Sequence, residues 1–108
     1  MDYSSTNNEP QSLNVEALKQ KHGAVYLIEV DNPGGDPFQF FLKKPDRIIM
    51  SAVAKLGSTD PLRAASTLIE NCLLAGDKKL LDDITIFSAV SEQFETVIQA
   101  RKATIKNL

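Results

Sequence analysis

The segment Asp60–Gly76, DPLRAASTLIENCLLAG, constrains this chain most, because it carries both ends of a helix and its buried face within seventeen residues. Thr59 or Asp60 can accept the free backbone N–H groups of a first turn, and Pro61 suits the first helical position, where no donor is needed. Gly76 is the expected stop, since glycine tolerates the left-handed backbone that closes many helices. At 100° per residue, Leu62, Ala65, Ile69, Cys72 and Leu73 fall on one stripe, which Ala64, Leu68 and Ala75 widen to about half the circumference. A helix with so wide an apolar face must be covered from more than one side, which makes it the expected centre of the domain.

The flanking pattern predicts what covers it. Asn14 can cap a short helix over Val15–His22 that Gly23 ends, and His22 in the last turn suits the negative end of the helix dipole. Ala24–Val30, rich in β-branched and aromatic residues, reads as a strand; Asp31–Pro37 concentrates turn formers, and Phe38–Lys43 resumes an extended pattern with Phe38, Phe40 and Leu42 on one face. Pro45 ends that strand, and Asp46 can cap a helix to Leu56, with Ile48, Ile49, Ala52, Val53 and Leu56 on one face and Gly57 as terminator. The short connection to the central helix implies adjacent, antiparallel helices. Asp77–Asp83 suggests one turn around Leu80 and Leu81.

From Ile84 to about Lys106 neither proline nor glycine intervenes, and Phe87, Val90, Phe94, Val97, Ile98 and Ile105 lie within roughly 100° of arc, which predicts a long final helix. Arg101 interrupts its stripe: either the side chain snorkels past the end of the core, or the last two turns leave the domain to meet a partner. The expected fold is therefore α+β and mostly helical, an N-terminal β-hairpin packed against a bundle of three to four helices. A single domain over residues 13–108 follows a disordered polar tail over 1–12, where periodicity is lacking.

At 108 residues the chain can bury one apolar core without a staple, and its single cysteine excludes an internal disulfide. A formal charge of −2 argues against an electrostatic nucleic-acid binder, and Lys43, Lys44 and Arg47 form only a local cluster, read as a solvated strand end and helix start. No apolar run is long enough to cross a bilayer and the start carries no secretory pattern, so no membrane partner and a cytoplasmic location are expected. Cys72, on the apolar stripe, reads as a packed hydrophobe.

Catalysis needs a nucleophile, a base or a metal held in a constellation, and the residues commonest in those roles are scarce: one cysteine and one histidine. The Gly-Gly of the hairpin loop lacks a following P-loop lysine. Asp83 is better read as a helix cap than as half of an acidic pair with Asp82, and Glu92 and Glu95 as solvated acids three apart that can share a cation. The expectation is a non-enzyme with no catalytic, cofactor-binding or metal-binding residues and no cofactor.

One resemblance gives function a direction. The strand ending Phe40-Phe41-Leu42-Lys43-Lys44-Pro45, the helix beginning at Asp46-Arg47, and Asp60-Pro61-Leu62-Arg63-Ala64-Ala65 leading to Leu68-Ile69 and Cys72 together resemble the small tail assembly chaperones of tailed bacteriophages. The resemblance covers roughly Ala24–Leu74. It implies an α+β or mostly helical protein of a phage or prophage, without catalytic residues, that acts in the host cytoplasm. It also implies protein partners: a long tape-measure protein held soluble while tail-tube subunits polymerise around it. The alternative is a small cytoplasmic adaptor or regulatory protein that binds one folded partner.

A holding protein needs an apolar surface that grips without permanence. Phe41, on the strand face opposite Phe38, Phe40 and Leu42, with Tyr26 or a neighbour beside it, is one candidate, the alternative being that the N-terminal helix covers that face; Ile98 and Ile105 on the final helix are the other, where self-association into a homo-oligomer is an equally simple reading.

Overall fold

The computed structural model of the protein describes residues 14–99 and 101–108, so the tail expected over 1–12 lies outside the described residues. Each helix start is fixed by one side chain. Asn14 accepts from the Ala17 N–H at 3.1 Å to open α1, Val15–His22, and Asp46 accepts from Ile49 at 2.8 Å to open α2, Arg47–Gly57. Asp60 accepts from Arg63 at 3.1 Å to open α3, Pro61–Cys72, and Asp83 accepts from Thr85 at 2.9 Å to open α4, Ile84–Ile98. Each carboxylate or amide satisfies a first-turn donor that the helix itself cannot. A 3-10 helix, Lys78–Asp82, realises the turn expected around Leu80 and Leu81.

The fold is α+β. Strands β1, Val25–Val30, and β2, Phe38–Lys43, pair antiparallel in a register that sets Ile28 opposite Phe40 and Tyr26 opposite Leu42. The pair follows α1 and is joined by a third strand, β3, Leu73–Ala75, giving the order β1-β2-β3. The third strand corrects the long central helix. That helix stops at Cys72, and the next three residues form a strand along β2, Leu73 opposite Leu42 and Ala75 opposite Phe41, with a bulge between the two pairs. Gly76 is thus no helix terminator. It lies at φ 134°, where a Cβ would come within 2.8 Å of the Phe40 ring and 3.0 Å of the Gln39 carbonyl oxygen, so glycine lets the chain turn away while pressed on β2.

One face of the sheet carries the core. Ile28, Phe40 and Leu42 meet Leu68, Ile69 and Cys72 from α3 and Ile86, Phe87, Val90 and Phe94 from α4. Burying a side chain of the size of Phe40 stabilises by roughly 1.5–3 kcal/mol. Besides the contact of α2 with α3, the helices are tied together through the sheet: α1 touches β1, α3 touches β2, and α4 touches β1 and the 3-10 helix.

The final helix is also shorter than expected. It ends at Ile98, and residues 101–108 are neither helical nor paired and are exposed throughout. Helices in proteins persist mainly where a face is buried, and among the described residues none beyond Ile98 belongs to the core. Thr96 already turns its hydroxyl back onto the Gln93 carbonyl at 2.6 Å, competing with the helical ladder.

Candidate partner-binding surfaces

The four residues expected to bind a partner are not brought together. Tyr26 stands opposite Leu42 on the core-facing side of the sheet, whereas Phe41 stands opposite Leu27 on the other side, so Phe41 and Tyr26 are not companions. Successive strand residues point to opposite faces, and the register puts the two on positions of opposite parity. Phe41 is half-buried between Leu27, which is 46% exposed, and Ala75 of β3. Beside them Gln39 donates from its amide to the Glu29 carboxylate at 3.0 Å, a polar cross-strand pair that borders the apolar one. Ile98 packs partly buried against the core, while Ile105 lies beyond the helix at 97% exposure; they share no face.

A better formed surface lies between α3 and α4. Pro61, Leu62 and Ala65 line one wall, and Phe87, Ser88, Ser91, Glu92 and Glu95 line the other, around a groove of about 560 Å³. Leu62 is 59% exposed there, although its spacing put it on the core stripe; the stripe that is buried runs through Ala64, Leu68, Ile69 and Cys72. The small side chains of Ala65, Ser88 and Ser91 leave room for a backbone to approach, and Phe87, itself buried, closes the floor. Glu92 and Glu95, read from sequence only as surface acids, both border this groove and give it a negative rim. The missed signal was positional: Leu62 falls in the first turn, ahead of the point where α3 reaches the core.

A second groove, about 410 Å³, separates β1 from the other side of α4 and is lined by Leu27–Asp31 together with Ala89, Glu92 and Gln93. A third cleft, about 330 Å³, is bordered by Ser66, Glu70, Lys78, Lys79 and Asp82 above Ile69, Leu81 and Phe87. Its four charged residues are exposed, and among the described residues no hydrogen bond or ion pair joins their side chains.

The titratable groups with displaced pKa values have structural causes. Burial pushes the Cys72 thiol from 9.0 up to about 11, against the opposing pull of Lys43, so the residue behaves as a packed hydrophobe with an unreactive proton. Asp83 is held below its ordinary value, chiefly by the Thr85 hydroxyl and then by the Thr85 N–H, as a cap should be. Among the described residues no group of three or more His, Cys, Asp or Glu side chains is placed to hold a metal ion. No helix among them is long and apolar enough to cross a membrane.

The architecture is that of a small α+β domain with helices on a three-stranded antiparallel sheet, and it recurs in a solved structure. The uncharacterised protein rbstp2171 from Bacillus stearothermophilus is similar over 87% of this chain and 100% of its own, with a TM-score of 0.55 and 21% sequence identity. That likeness concerns the fold. No protein-family model and no curated protein matches the chain.

Proposed function

We propose that this chain is a non-catalytic, protein-binding holder of the tail assembly chaperone kind, acting in the cytoplasm of a phage- or prophage-bearing host. Its client is an amphipathic helical segment of a tape-measure protein. The observation that carries the reading is the α3/α4 groove, where Leu62 offers a large exposed apolar side chain above small residues and a phenyl floor. A helix laid into such a groove buries one apolar face and can leave again, because the site lacks the enclosed pocket of a permanent anchor. The acidic rim of Glu92 and Glu95 favours a client with lysine or arginine beside its apolar stripe. The resemblance carried by Phe40–Pro45, Asp46-Arg47 and Asp60–Ala65 supplies the client class.

Co-expression with a tape-measure protein tests it. The intact chain should raise the soluble share of the client, and Leu62→Asp should abolish that gain while its own circular dichroism is unchanged, since Leu62 is not part of the core. Equal client solubility with and without the chain would end the proposal. A second reading, an adaptor for one folded partner, rests on the outer sheet face, where Leu27 and Phe41 form a flat apolar pair next to Glu29 and Gln39. Capture of a folded partner that Phe41→Asp prevents and Leu62→Asp does not would favour it.

A further inference from the structure

We propose that residues 101–108 form an exchanged arm that lies along strand β1 of a second copy of this chain, in the groove between β1 and α4. Between Arg101 and Leu108 the sequence RKATIKNL holds three basic residues and no acidic one, and every residue of it is exposed. The β1–α4 groove has the opposite character. Glu29, Asp31 and Glu92 border it, and neither lysine nor arginine does.

The backbone argues in the same direction. β1 is an edge of the sheet, so its outward N–H and C=O groups have no strand partner among the described residues, and an extended segment can complete the ladder. Eight extended residues span about 26 Å, and the six residues of β1 need about 20 Å, so the arm can cover the strand from end to end. An added strand would carry its side chains alternately to the two faces. It would put Ile105 beside the exposed Leu27, and Lys102 and Lys106 on the other face, toward α4 and Glu92.

A second copy is favoured over the arm's own groove because residues 101–108 lie fully exposed in this chain and none of them lines that groove. Two copies that each donate one arm and receive one form a closed twofold pair.

Light scattering on the eluted protein tests this independently of any client. The intact chain should have a mass twice its 11.9 kDa, and a chain ending at Gln99 should be monomeric with unchanged circular dichroism. The pair Glu29→Lys and Glu92→Lys should weaken self-association at least tenfold, as should Arg101→Glu, which shares the face of Ile105, Leu27 and Glu29, with Lys102→Glu, on the face toward Glu92. All four changes together should restore it, because attraction returns with the signs exchanged. A monomeric intact chain overturns the proposal. So does a chain that remains dimeric without the arm, whatever segment then holds the copies together.

Discussion

Helices α2 and α3 invite comparison because their sequences promise the same thing. They are eleven and twelve residues long, each opens on an aspartate that accepts from the third N–H onward, and each concentrates its apolar residues on one face. Yet α3 buries Ala64, Leu68, Ile69 and Cys72, and α2 buries nothing fully. Ile49, Met50 and Val53 of α2 rest on the margin of the core, while Ile48, from the same apolar run, is 80% exposed. Periodicity states that a helix has a face to cover. It leaves open what covers it, and among the described residues α3 is held between α2 and the sheet, whereas α2 has α3 on one side and an exposed face on the other.

The largest effect that can break this contrast is a truncation in each helix. Ile69→Ala removes a fully buried side chain and should cost about 2–5 kcal/mol in urea unfolding, whereas Ile48→Ala should stay within about 0.5 kcal/mol. Similar losses from the two would mean that α2 is covered in solution by something beyond its described neighbours. A glycine pair sharpens the same point. Gly76→Ala forces a Cβ against Phe40 at positive φ and should destabilise by more than about 1 kcal/mol, while Gly57→Ala at the end of α2, where an added Cβ meets nothing, should stabilise by about 0.4–1 kcal/mol.

The caps should erase the contrast. Asp46→Ala and Asp60→Ala each remove one comparable hydrogen bond and should cost about 1 kcal/mol apiece, read from thermal unfolding, irrespective of how deeply the rest of each helix is buried. Unequal costs would show that the caps differ in more than their local geometry. One further effect lies outside the neutral range and belongs to α3 alone. Below about pH 9 the Cys72 thiol is neutral in the folded and unfolded chains. Between 9 and 11 the unfolded chain loses this proton first, so stability should fall as pH rises through that window, and Cys72→Ala should remove that part of the slope. At pH 8 a disulfide reagent should react with Cys72 only as fast as the protein unfolds.

Much of the fold was legible where one residue acts locally. Asn14, Asp46, Asp60 and Asp83 each announce a helix start that the structure contains, and the β-branched and aromatic runs announce β1 and β2 to within a residue. Chain endings were less legible. Leu73, Leu74 and Ala75 continue an apolar period that suits a helix as well as a strand, and only the free edge of β2 decides between them. Residues 101–106 have no breaker, so their departure from the helix depends on the absence of anything to bury Ile105 against. The candidate site was the least legible part. Leu62 belongs by spacing to the same stripe as Ile69, and the groove is lined by two helices, α3 and α4, which no single segment records.

The joint between α3 and β3 has a consequence for how relatives of this chain can vary. Cys72 ends the helix and Leu73 begins the strand, so that corner has no slack: one residue added there would slide Leu73 and Ala75 out of step with Leu42 and Phe41. At the opposite end of the sheet, the Asp31–Pro37 turn is exposed apart from a half-buried Asn32 and can lengthen at little entropic expense. Descendants of this architecture are therefore free to elaborate one rim of the sheet while the other keeps a fixed residue count.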